Sequence, residues 1–296
     1  MPSWRAQKSL LLISSYLFYA AWSPPLVVLI WISTIVDYLV AKRLAVTQAP
    51  SYRKQLLIFS ILVNIGILGY FKYADFLLEN FSRLLAETGI LYSPPSFDII
   101  LPIGISFYTF QTMSYTIDVY RKNIDPTDSL LDFSLFVTFF PQLVAGPIVR
   151  AGKFLPQCET RKQLTLSGVV IGTSLIIWGL FQKTVLADAL FSPLVDSFYS
   201  NVPGESLTSN WLAVFSFSMQ IYYDFAGYSL CAVGAAMALG FKLPDNFNAP
   251  YAASGFSDFW HRWHITLSQW MRDYLYIPLG GNRVPRIKGL RNLVIV

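Results

Sequence analysis

GFSDFWHRWHITLSQWMRDYLYIPLGGNR, residues 255–283, holds both histidines of the 296-residue chain, His261 and His264, together with three tryptophans and a dense set of charges. The rest of the chain is of another kind: overall it is 54% hydrophobic and only 13% charged, well under the roughly 25% charge of a soluble domain. Uncharged runs cover residues 9–36, 55–71, 99–117, 133–149, 163–182, 206–223 and 225–241. Each approaches or exceeds the roughly 20 residues that cross a bilayer. Seven such runs predict an all-α polytopic membrane protein. Ionised or unpaired polar groups in hydrocarbon are costly, so chemistry is expected in 255–283.

The net charge of +5 does not point to nucleic acid, because the basic residues fall in short loops between apolar runs and form no stripe. Cys158 and Cys231 make neither a disulfide framework nor a metal spacing and read as packing or loop residues. The first apolar run passes through Ser23-Pro24-Pro25 straight into a second. That is a retained membrane hairpin and not a cleaved leader, which would end at a small-residue site before a polar start.

Charge orients the segments. Lys42, Arg43, Arg53 and Lys54 place the 41–54 loop in the cytoplasm, and Arg5 and Lys8 put the N-terminus on the same side, with two short helices hinged at Pro24-Pro25. Segments 84–97, with its Pro94-Pro95 break, and 191–210 carry no Lys or Arg and are expected outside. Run 133–149 has basic flanks at both ends and contains Pro141, Gly146 and Pro147. A re-entrant or broken helix buried in protein satisfies both features. Asp224 either splits the 206–241 stretch or sits within one helix. Between Ala226 and Gly240 small residues dominate, which lets membrane helices approach closely. The apolar segment 292–296 reads as a membrane helix begun and cut, so the chain is expected to be one domain, 1–296, truncated at its C-terminus.

Within 255–283, Ser257 is the expected N-cap of a helix of about 20 residues. Trp260, Trp263 with His264, Leu267, Trp270 with Met271, and Tyr274 recur at helical spacing and form one stripe, leaving His261, Arg262, Ser268 and Arg272 on other faces. Pro278 and Gly280-Gly281 end it. His261 and His264 lack the further ligands that tetrahedral zinc requires. His264 is either a hydrogen-bonded interfacial histidine or a general base, since imidazole titrates near neutral pH; His261 reads as solvated. Asp224 is the strongest intramembrane charge and reads as a carboxylate paired with Arg or Lys. Lys72, Asp75, Asp118, Lys183 and Asp188 sit near membrane ends, where snorkelling suffices.

Five segments carry a resemblance: 224–229 (DFAGYS), 243–250 (LPDNFNAP), 257–264 (SDFWHRWH), 270–274 (WMRDY) and 277–282 (IPLGGN). Upstream, 98–111 (DIILPIGISFYTFQ) and 139–148 (FFPQLVAGPI) continue it. In this order they resemble the membrane-bound O-acyltransferase family, and within it the bacterial alginate O-acetylation branch. The resemblance implies a ring of tilted transmembrane helices, with re-entrant and interfacial helices, around a central funnel. There a cytoplasmic acyl thioester, acetyl-CoA or an acyl carrier, would meet a hydroxyl of a polysaccharide from the opposite side. It implies no tightly bound cofactor and no metal. The implied partners are membrane lipid, the acyl donor, a polysaccharide acceptor and periplasmic or extracellular acyltransferase proteins, at a bacterial inner membrane. His264 matches the first of the family's two functional positions; the second, the histidine regarded as the base, would lie beyond residue 296, and the resemblance further implies a chain that starts one membrane helix late. Asp224, Asp258, Trp260, Trp263, Arg272 and Asp273 fall in the matched segments as supporting or tunnel-lining residues. One departure stands out: an Asp common in the alginate branch is Leu230 here, as in the teichoic acid D-alanyl transfer branch.

The expected function is therefore acetyl transfer to an exported cell-envelope polysaccharide such as alginate. D-alanyl transfer to a teichoic acid is the alternative within the family. A transporter or flippase, to which broken helices and Asp224 also point, lacks the inverted-repeat symmetry expected of it. A catalytically silent scaffold is the third reading.

Overall fold

The computed structural model describes residues 3–90, 92, 100–200 and 206–296. The Pro94-Pro95 break, Asp98-Ile99 of the upstream motif, and part of the 191–210 segment lie outside these residues. Among the described residues the chain is helical, with no strand. The order is α1 Trp4–Ala20, α2 Val27–Val46, α3 Pro50–Glu87, α4 Ile105–Tyr120, α5 Leu130–Thr138, α6 Phe140–Leu143, α7 Ala151–Glu159 and α8 Leu166–Leu180, then a π-helical segment Phe181–Phe191. It continues through α9 Ser192–Ser200, α10 Leu207–Ala238, α11 Phe256–Arg262, α12 Ile265–Met271, a second π segment Arg272–Tyr276, and α13 Arg286–Ile295.

Among the described residues, three helical stretches are long and apolar enough to cross a membrane: Pro24–Val46, Pro50–Glu87 and Leu166–Ser200. Their outward faces are apolar, with Leu62 and Phe76 each more than 60% exposed, as lipid contact requires. The other runs are shorter or more polar as helices. Run 99–117 falls largely in the 16-residue α4, and 133–149 breaks at Phe139 into α5 and α6. Runs 206–223 and 225–241 form one 32-residue helix, α10, which Asp224 does not interrupt. The expected hinge is present: α1 ends at Ala20, and Pro24–Leu26 makes a 3₁₀ turn before α2.

The chain folds as two compact units. The first is Met1–Phe140 with Arg150–Leu155. Its α2, α3 and α4 converge on Asp37, which is fully buried. Ser60 and Thr116 donate hydroxyl hydrogen bonds to Oδ1, and Asn64 donates its amide to Oδ2 at 2.9 Å. Ser33 in turn donates to Asn64 Oδ1 at 2.5 Å, and Thr112 at 3.2 Å. Beside this lies an aromatic core of Tyr115, Phe133, Phe136, Phe139 and Phe154, all buried, with Tyr115 and Phe133 ring centroids 4.5 Å apart. Lys8 of α1 pairs with Asp132 of α5.

The second unit is Pro141–Val149 with Pro156–Val296. Its spine is α8 against α10, and the sequence dictates how close they come. A Cβ added to Gly172 would stand 2.5 Å from the Gly234 carbonyl oxygen, and one added to Gly179 2.6 Å from that of Gly227. Both helices thus present glycines seven residues apart, and backbone touches backbone. Close packing of this kind replaces the hydrophobic drive that membrane helices lack among themselves. Immediately after Gly179 the helix loosens into the π segment.

Candidate active site

The site stretch folds differently from the single helix its periodicity suggests. Ser257 lies inside α11, whose N-cap is Gly255, and α11 stops at Arg262. His264 stands at φ 41° and ψ 53°, a left-handed conformation, before α12 begins. For a residue with a Cβ this costs about 1–3 kcal/mol and persists only where surroundings over-determine it. Those surroundings are the 242–249 loop. The Asn248 N–H donates to the Arg262 carbonyl at 2.9 Å, and the Ile265 N–H donates to the Asn246 carbonyl at 2.9 Å. The break is stitched on both sides, so the Trp260–Tyr274 stripe is divided among α11, the break itself, α12 and the second π segment.

Asn246 also anchors the break with its side chain. It is 2% exposed; its Nδ2 donates to Ser229 Oγ at 3.1 Å, and its Oδ1 accepts from Thr266 Oγ1 at 2.9 Å. Thr266 Oγ1 accepts in turn from the Ile148 N–H at 3.0 Å. The His264 ring lies edge-on to Phe225 of α10, centroids 4.7 Å apart at 83°. Phe225 contacts Phe247, and Phe247 contacts Trp263, each at 5.1 Å. Phe259 stacks on Trp263 at 5.6 Å, and Tyr222 and Tyr251 complete the aromatic wall. Burial in this wall pushes the His264 pKa down to about 4, so the imidazole is neutral at physiological pH.

The other expected residues divide. Trp263 is inside the wall beside His264. Trp260 is exposed and borders an apolar concavity of about 430 Å³ with Pro250, Tyr251, Phe256 and Phe259. Asp258 accepts from Arg262 Nε at 2.8 Å and from the Ser254 N–H at 3.2 Å; the Arg262 guanidinium chiefly holds its carboxyl below the usual range. Arg272 and Asp273 pair with each other at 2.7 Å on the second π segment. His261 is exposed, its Nδ1 2.5 Å from the Ser257 carbonyl oxygen. Asp224 is paired as expected: Lys183 Nζ lies 2.5 Å from it and 2.7 Å from Asp188. Lys183 and Asp188 therefore do not snorkel. Five residues apart, they face each other because a π-helix repeats i to i+5.

Three residues of the site carry no motif-like signal of their own: Gln182, Ser229 and Asn246. Asn246 and Ser229 lie within segments singled out for other reasons, and Gln182 is hidden in an apolar run.

A family model of membrane-bound O-acyltransferases matches residues 120–296. The peptidoglycan O-acetyltransferase of Helicobacter pylori is 37% identical over 97% of this chain and 58% of its own length. The probable alginate O-acetylase AlgI of Pseudomonas aeruginosa is 38% identical over 98% of this chain and 55% of its own. The teichoic acid D-alanyltransferase of Bacillus subtilis is 31% identical over 62% of this chain and 47% of its own. The chain thus spans little more than half the length of the relatives that cover it almost completely.

Proposed function

The chain belongs to the membrane-bound O-acyltransferase family, and from that premise we propose that this protein transfers an acetyl group from a thioester donor to a hydroxyl of an exported cell-envelope polysaccharide. The observation that carries the reading is His264: a neutral imidazole held in a strained backbone conformation, edge-on to Phe225, at the break between α11 and α12. The acceptor hydroxyl oxygen attacks the thioester carbonyl carbon, the C–S bond breaks, and the hydroxyl proton passes through a base to the departing thiolate. A histidine with a lowered pKa is suited to accept the hydroxyl's hydrogen bond and orient it. Asp224, tied to Lys183, supports the α8–α10 pair, and Trp263 walls the site; Asp258, through Arg262, fixes α11.

On this reading the protein is a multi-pass protein of the bacterial inner membrane, its helices ringing a funnel that admits acetyl-CoA or an acyl carrier from the cytoplasm. The glycan and its periplasmic or extracellular acyltransferase partners stand on the other side. Leu230 favours a second reading, D-alanyl transfer, because it matches that branch where the alginate branch often has Asp. One experiment separates them. The full-length protein in nanodiscs is given a de-acetylated peptidoglycan disaccharide, a de-acetylated polyuronate oligosaccharide or a teichoic acid, with acetyl and D-alanyl thioesters. Acetyl transfer to a saccharide is expected; D-alanyl transfer alone supports the second reading, and no transfer to any acceptor overturns both.

A further inference from the structure

Beside the His264 break lies a small cavity of about 90 Å³, closed in by the first turn of the Phe181–Phe191 π segment, the middle of α10 and the 242–249 loop. Its polar lining comes from Gln182, Tyr222, Ser229 and Asn246, together with the exposed Asp245. Two of these are already engaged, since Asn246 is bonded to Ser229 and to Thr266. Gln182 is not. It is 7% exposed, and its Oε1 has no hydrogen-bond partner. Buried acceptors are normally satisfied, and one left open calls for an explanation. Its backbone calls for one too: π-helical segments are rare and cluster at functional sites.

The lining specifies what would satisfy Gln182. The ligand must hydrogen-bond to a side-chain amide, which a hydroxyl does as donor or acceptor. It is uncharged at the point of contact, because Ala226, Leu230 and Val233 form the deep walls and the charged Asp245 is exposed. It has a carbon face for Tyr222 and Phe247 to pack against. Space is limited to a few waters or a group the size of a hydroxymethyl arm. An alcohol arm of a saccharide meets all four conditions.

We infer that Gln182, with Tyr222, Ser229 and Phe247, forms a subsite that binds a neutral hydroxyl arm of the acceptor saccharide beside the Asn246-stitched His264 break. The inference deepens the acyltransferase reading and rests on it. It is a binding step only, and Gln182 exchanges no proton.

The test uses the full-length protein in nanodiscs, acetyl-CoA as donor, and whichever saccharide probe the wild type acetylates. Gln182→Leu keeps the volume and removes the amide, and Val233→Leu adds bulk to the cavity's apolar wall. For Gln182→Leu the acceptor KM is expected to rise about three- to tenfold, the worth of one hydrogen bond. The donor KM and the slow release of thiol without acceptor should stay unchanged, and the thermal midpoint should hold or rise because an unmet acceptor has gone. Val233→Leu should show the same acceptor-selective defect. An unchanged acceptor KM in both variants overturns the subsite and leaves a water-filled cavity only. So does an equal loss toward donor and acceptor, or a lowered thermal midpoint with acceptor KM intact, either of which marks a structural role. If the wild type acetylates neither saccharide, the acetyl-transfer reading falls, and the subsite with it.

Discussion

Asp37 and Gln182 are both nearly closed off from solvent, one on α2 of the first unit and the other at the start of a π segment in the second. Asp37 has three donors on its two oxygens, and Asn64, which supplies one of them, is itself bonded in turn to Ser33 and Thr112. Gln182 has an acceptor with nothing on it. A completed network of this kind rigidifies a helix junction, and a side chain outside any network does not. Around Asp37 buried polarity holds three helices together. Around Gln182 part of it stays open beside a strained histidine.

That contrast is broken most directly at Asp37. Asp37→Leu strands the donors of Ser60, Thr116 and Asn64 in a buried site, at about 1–3 kcal/mol each. Folded yield in membranes should collapse, whereas Gln182→Leu should leave it intact. Equal losses in quantitative immunoblots of the two variants would erase the distinction.

The next largest effect tests whether the open side is the functional one. His264→Ala should lower acetyl transfer by roughly a hundredfold, the lower end of what a positioned proton-handling group contributes. His261→Ala should be close to neutral, because its ring faces solvent and the Ser257 carbonyl. Membrane abundance should be near normal for both. A His261 defect as deep as that of His264 would move the site off the Phe225–Phe247 wall.

The smallest effect is in pH. Burial lowers the His264 pKa to about 4 from an ordinary 6.5, so between those values the unfolded chain binds a proton that the folded chain refuses. Stability contributed by this group is present above about pH 6.5 and declines as pH falls toward 4. Unfolding midpoints measured across that window should therefore fall with acidification in the wild type, and less in His264→Gln. Identical slopes would place the imidazole in water.

Much of this was legible in the chain itself. Long uncharged runs marked the helices, Pro24-Pro25 marked the hinge, and the glycines between 226 and 240 marked a close helix contact, because each of these follows from local composition. The pairing of Asp224 was legible too, though its partner Lys183 was not. What stayed hidden depends on contacts distant in sequence. Periodicity continues unbroken through Trp263 and His264, and only the backbone of Asn246 and Asn248 stops the helix there. Nothing in residues 181–191 announces a π-helix, so the inward turn of Gln182 and the meeting of Lys183 with Asp188 had no sequence signal. Histidine stood out by its rarity, whereas glutamine within an apolar run did not.

The glycine contacts of α8 and α10 have a mechanical consequence. Where side chains separate two helices, they can repack and let the gap shrink when a binding space empties. Between Gly172 and Gly234, and between Gly179 and Gly227, there is no such cushion, because the backbones already meet. The two helices behave as a clamped strut whose spacing cannot decrease. The walls that Gln182 and α10 give to the small cavity are thereby held apart whether or not anything is bound, and a guest entering it does not have to push the protein open.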